Sequence, residues 1–152
     1  MKPFRFRLAR FLRLNEAQKR QCSIALAQEN RALDLEQAAL DGRVAQHNQI
    51  EQSYASLARH SASVTDWIIA ERALSGAKSE VRKQSQAVRT AETRVEIARD
   101  VLVRKSSEVE TLKRLRKRRR QEYEIQYRRD EQKQTDEKAV DRFAHVRQSQ
   151  SS

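Results

Sequence analysis

With 152 residues, 35% of them charged and only 5% aromatic, the chain is too poor in core-forming side chains for an ordinary globular interior. Two glycines and one proline allow few turns, and no apolar run is longer than the four residues of Trp67 to Ala70, far short of the roughly 20 residues that span a membrane. The formal charge of +11 calls for an acidic partner or a heavily solvated surface.

That charge is not spread evenly. Residues 1–20 carry seven Lys or Arg and one acid, net +6, and residues 113–129 carry nine and two, net +7. The segments 21–112 and 130–152 come to −1 each, so the basicity is two patches. Cys22 is the only cysteine; it cannot form an internal disulfide, it fits a reducing cytosol, and its place on an apolar stripe predicts a packed thiol.

In chain order, Pro3 suits the first turn of a helix. Phe4, Leu8, Phe11 and Leu12 then fall on one helical face, with Arg5, Arg7, Arg10 and Arg13 around the rest. A basic amphipathic segment of this kind can lie on a membrane surface. Its apolar spacing nevertheless continues into Cys22 and Leu26, which predicts one continuous helix over about 4–60. Leu26, Leu33, Leu40, His47 and Tyr54 recur every seventh residue along it, and Gly42 is its only interior flaw. His60 to Asp66 is small and polar, with Thr65 and Asp66 as candidate N-caps, and marks a reversal. A tip over about 61–76 follows, where Trp67, Ile68, Ile69 and Leu74 form an apolar patch and Ser75-Gly76 allows a short tip helix to end.

The second long helix, about 77–147, carries the strongest pattern in the chain. Leu74, Val81, Val88, Val95, Leu102 and Val109 repeat at seven, and Ala77, Ala91, Ala98 and Leu112 fill positions three residues on. This is a coiled-coil seam. The expected fold is therefore all-α: a long two-helix antiparallel coiled-coil hairpin forming one domain over 1–148, with a disordered tail at 149–152. No segment reads as a strand. Counting back from a turn at residue 63 places Leu40 near Val88 and Leu12 near Leu115. It also brings the basic run Lys113, Arg114, Arg116, Lys117, Arg118, Arg119 and Arg120 beside the N-terminal arginines. Residues 123–148 would then extend without a partner helix, leaving Tyr127, Val140, Phe143 and Val146 available for contact.

Catalytic chemistry is missing from the sequence. No glycine-rich phosphate loop occurs, and His47, His60 and His145 lack metal-ligand spacing. Asp130-Glu131 and Asp136-Glu137 sit on a polar helix without a pocket to tune them. The expectation is a non-enzyme with no cofactor, metal or small-molecule substrate. Nucleic acid is also disfavoured as a partner, because the basic block follows the seam and no Asn or aromatic base-reading set is interleaved with it.

The opening Phe4-x-Phe6-Arg7-Leu8-x-x-Phe11-Leu12-x-Leu14 resembles the start of the FliJ family, the small coiled-coil component of the bacterial flagellar type III export apparatus. Tyr123, then Asp130-Glu131-Gln132-Lys133-x-x-Asp136-Glu137-x-Ala139 and Phe143, resembles that family's end. The resemblance implies two antiparallel helices similar to the stalk subunit of rotary ATPases. It implies a cytoplasmic protein, peripheral at the inner membrane face of the flagellar base. Its terminal end would enter the hexameric export ATPase and promote its assembly and activity, link it to the export gate, and handle export chaperones. Transferred by position, Phe4, Arg7, Leu8, Phe11, Asp136, Glu137 and Phe143 become ATPase-side candidates, and Tyr54, Trp67 and Leu74 gate-side candidates. The run from Lys113 to Arg120 is heavier than the family pattern requires, and an acidic ATPase surface, lipid headgroups or water could face it. An injectisome stalk and an unrelated coiled-coil scaffold share these features. One seam also serves either a monomeric hairpin or a dimer of straightened helices.

Overall fold

The computed structural model describes residues 3–150, with side chains through residue 145. Two helices, α1 (Ala9–Leu57) and α2 (Val64–Gln150), pack against each other, and no strand occurs among the described residues. The all-α hairpin expected from the heptads is therefore present. The chain divides into a terminal unit, Met1–Ala17 with Ser106–Ser152, and a hairpin unit, Gln18–Lys105.

In the hairpin unit the α2 heptad row turns inward. Leu74, Val88, Ala91 and Val95 are buried, while Ala77, Val81, Ala98 and Leu102 are half-buried. Leu26, Leu33, Leu40, His47 and Tyr54 of α1 are half-buried as well. Burial is deepest at the short side chains Val88, Ala91 and Val95. Each fully buried Val contributes about 1.5–3 kcal/mol of apolar transfer energy. The stripe is narrow, so each such residue matters.

Polar groups interrupt this stripe and define its register. Gln84 donates from Nε2 to the Glu36 carbonyl at 3.0 Å and to the Glu36 carboxylate at 2.5 Å. Arg43 and Glu80 form an ion pair at 4.0 Å, and Tyr54 meets Trp67. These pairs run in opposite directions along the two helices, which makes the unit antiparallel. They also set Leu40 level with residues 80–83, roughly two turns short of the expected Val88. His47 occupies the seam with its Nε2 buried and without a hydrogen-bond partner, a cost of about 1–3 kcal/mol.

The reversal is shorter and earlier than the expected tip at 61–76. Arg59 and His60 donate back to Ser56 and Leu57 at 3.0 and 3.3 Å, tightening the end of α1. α2 then begins at Val64 and runs through Ser75-Gly76 without a break. Its cap is Ser63, not Thr65 or Asp66. Ser63 receives the Asp66 amide on Oγ at 3.2 Å, while its own amide and hydroxyl donate to the Asp66 carboxylate at 2.9 and 2.7 Å. This reciprocal box needs an acid three residues after the cap, which Ser63 has and Thr65 lacks.

The terminal unit departs from expectation at its start. α1 begins at Ala9, so Pro3 and Phe4 lie outside the helix. From residue 4 to 7 the chain alternates instead, with Phe4 and Phe6 half-buried and Arg5 and Arg7 exposed, before Ala9 donates back to Phe6 at 3.1 Å. Residues 3–6 have no regular secondary structure, and a turn at residues 7–8 leads into α1. Phe6 packs on a small core of Leu12, Val109 and Leu112. Leu12 thus meets Val109 and Leu112 in place of Leu115, one turn earlier, as the earlier reversal requires. Asn15 is buried beside Leu12 with Nδ2 donating to the Phe11 carbonyl at 2.9 Å. Along α2, side chains from Glu124 to His145 are exposed. The helix continues through Gln150, past the expected start of the tail, while residues 151–152 and the Val146 side chain lie outside the described residues.

Two predictions concern this scaffold. Gly42 and Gly76 sit in helix interiors without positive φ, and a methyl group at either meets nothing within 4 Å. Gly42→Ala and Gly76→Ala should each raise stability by roughly 0.5–1 kcal/mol, read as a higher urea midpoint. The Ser63 side chain, then its amide, hold the Asp66 carboxyl below its ordinary value. A depressed folded pKa stabilises above the unfolded value of about 4 and is lost as pH falls through the folded one. Wild type should therefore melt above Ser63→Ala and Asp66→Asn at neutral pH, with the gap closing below about pH 4.

Candidate functional site

The terminal unit gathers most of the residues singled out for partner contact. The non-helical start lays Phe4 against Tyr123, ring centroids 5.7 Å apart and tilted by 49°, and Tyr123 in turn lies 6.1 Å from Tyr127. A crevice of about 680 Å³ opens there, lined by Phe4, Phe6, Leu8, Tyr123, Arg7 and Arg119 among others. Phe4 is thus partly consumed by an internal contact, whereas Leu8 and Phe11 remain exposed at 41% and 53%. The Glu131 carboxylate beside the Tyr127 hydroxyl raises that phenol above its ordinary pKa.

Asp136, Glu137 and Phe143 lie further along α2, all exposed, with Phe143 at 77%. Asp136 accepts from Gln132 Nε2 at 2.9 Å. From Tyr123 to Phe143 the helix rises roughly 30 Å at 1.5 Å per residue. Phe4, Arg7 and Leu8 therefore form one cluster at the crevice, and Asp136, Glu137 and Phe143 a separate stretch of the same unit.

The basic run is partly neutralised. Lys113 pairs with Glu16 at 3.8 Å, Arg118 and Arg119 share Glu122 at 3.8 and 3.0 Å, and Arg120 pairs with Glu124 at 3.1 Å. Exposed pairs of this kind contribute about 0–1 kcal/mol each. Arg114, Arg116 and Lys117 have no ion pair among the described residues, nor have Arg5, Arg7, Arg10 and Arg13. No acid occupies the first turn of α1. The basic run of α2 and the N-terminal arginines through Arg13 fall within this one unit, while Lys19 and Arg20 belong to the hairpin unit.

In the hairpin unit, Tyr54 and Trp67 meet edge to face at 5.3 Å and 86°. Glu71 beside the Tyr54 hydroxyl, by hydrogen bond and then by charge, raises that phenol. Leu74 is 8% exposed and belongs to the seam, so it supports the helix carrying Trp67 and offers no surface of its own. Val64, Ile68 and Ile69 are exposed instead. Ile50, Tyr54, Leu57, Ile69 and Ala73 line a second crevice of about 430 Å³. Sequence reasoning passed over Ile50 and Val64. Ile50 was detectable three residues after His47 in the heptad frame; Val64 was hidden by the misplaced cap.

These features define a two-helix coiled-coil protein whose candidate sites are contact surfaces. Among the described residues no group of three or more His, Cys, Asp or Glu is placed to hold a metal, and no helix is long and apolar enough to cross a membrane. Residues 4–148 match the family model described as Flagellar FliJ protein, nearly the whole chain, and the protein belongs to that family. It is accordingly a flagellar export protein, from a family of non-enzymatic export components. No curated protein and no solved structure is significantly similar to it.

The aromatic contact at the chain start is testable. Phe4→Ala removes a ring pair of about 0.5–1.5 kcal/mol. Trypsin should then cleave after Arg5 and Arg7 faster than in wild type, while the melting of the hairpin unit stays unchanged.

Proposed function

We propose that the protein acts as a stalk for the export ATPase hexamer, promoting its assembly and activity and coupling it to the export gate. The observation that carries this reading is the terminal unit, where Leu8, Phe11 and Phe143 are exposed and Arg7, Arg10 and Arg13 have no ion pair among the described residues. Apolar groups left in water in this way favour burial in a partner, and the surrounding charge steers association without fixing one rigid orientation. Phe4, Arg7, Leu8, Phe11, Asp136, Glu137 and Phe143 are assigned to the ATPase. The contribution is binding energy alone: burying these side chains favours the assembled ring.

Tyr54 and Trp67 are assigned to the gate, together with the neighbouring Ile68, and Leu74 holds their helix in place. Handling of export chaperones and a position at the cytoplasmic face of the flagellar base complete the reading. The flagellar family match favours it over an injectisome stalk or an unrelated scaffold.

The experiment is ATP hydrolysis and ring assembly by the cognate export ATPase with and without the protein. Wild type should stimulate both. Phe11→Ala and Phe143→Ala should each raise the half-maximal concentration roughly ten-fold while keeping full helicity, as removal of an exposed aromatic anchor does. Absence of any effect of wild type on the ATPase would refute the stalk.

A further inference from the structure

The turn at residues 7–8 and the first turns of α1 carry a surface that overlaps the ATPase set at Arg7, Leu8 and Phe11 and extends beyond it. On a helix with 3.6 residues per turn, Leu12 and Asn15 point toward α2, and both are buried. Leu8, Phe11 and Leu14, spaced by three, form a row that climbs from the edge of that contact to the outer side, exposed at 41%, 53% and 54%. Arg7, Arg10 and Arg13 border the row, all exposed and without an ion pair among the described residues. The first acid in the chain is Glu16, half-buried and committed to Lys113. The surface is therefore cationic and apolar together; the acid at its edge is Glu122 of α2, which lines the crevice with Arg7 and Leu8 and is already paired with Arg118 and Arg119.

We propose that this face binds the headgroup region of an anionic bilayer. Arginines at such a depth meet phosphate while their stems run along acyl chains, and Phe and Leu enter the boundary below. Nucleic acid would satisfy the arginines but leave Leu8, Phe11 and Leu14 in water. Asn15, the amide flanked by these residues, is turned inward and bonded to the Phe11 carbonyl. The arginines of the α2 run are not needed. The proposal does not rest on the stalk reading, and three of its residues, Arg10, Arg13 and Leu14, lie outside the set assigned to the ATPase.

The test is flotation of the full chain, without ATPase, on vesicles of phosphatidylethanolamine with phosphatidylglycerol and on vesicles of phosphatidylcholine alone. Binding is expected only to the anionic vesicles and should weaken as salt rises. Each arginine removed should reduce partitioning roughly five-fold, so Arg10→Gln with Arg13→Gln costs about 25-fold. Leu14→Ser should reduce binding further without changing helicity. Arg114→Gln with Arg116→Gln and Lys117→Gln should leave most of it. Three results would overturn the proposal: no binding to anionic vesicles, binding lost only in the α2 variant, or binding to duplex DNA that depends on Arg10 and Arg13 while vesicle binding is absent. Because no ATPase is present, a negative result here leaves ATPase stimulation by the same protein as a separate outcome.

Discussion

Everything in this protein depends on a narrow seam between two helices, in which burial is deepest at short side chains such as Val88, Ala91 and Val95 of α2. A stripe of this width excludes water from few side chains, so it tolerates little loss. It also leaves most of each helix in contact with solvent, which is where the charge resides. The polar seam residues give direction to an otherwise permissive contact. Gln84 can satisfy both oxygens of Glu36 in one register only, and Asn15 closes its amide on the Phe11 carbonyl beside Leu12. Such groups lower the stability of a seam slightly and raise its selectivity.

The terminal unit shows what this economy leaves over. α1 begins only at Ala9, and before it Phe4 and Phe6 are half-buried while Arg5 and Arg7 are exposed. One short segment thereby supplies packing and charge together. Farther along α2 no second helix is available to cover Tyr127, Val140 or Phe143, so these groups remain a surface. The reading as an export stalk and the proposed lipid contact both arise from this unit, where Leu8, Phe11 and Phe143 are exposed and Arg7, Arg10 and Arg13 have no ion pair among the described residues.

Much of the fold was legible because a seven-residue repeat is a long-range signal: Leu74 to Val109 could scarcely be anything but a seam. Short-range signals were less reliable. Ser75-Gly76 looked like a break, yet a glycine inside a helix costs only about 1 kcal/mol, which packing on both sides overrides. The Ser63 cap was missed because the box depends on a pair of residues, and Thr65 and Asp66 were attractive singly. Phe4-x-Phe6 carried a visible period of two that the following helical spacing masked. Of the candidate site, exposed Phe11 and Phe143 were accessible from the sequence through their family pattern. The burial of Leu74 followed from the same heptad that identified the seam, and that inference outranks its place in the apolar patch.

The central claim is that the terminal unit, and not the hairpin unit, receives the export ATPase. Hydrogen exchange of the chain, free and bound to the assembled ATPase, addresses this directly. The account predicts added protection over residues 4–14 and 136–143, with the segment around Tyr54 and Trp67 unchanged. Protection confined to residues 54–74, with the terminal unit exchanging as in the free protein, would contradict it.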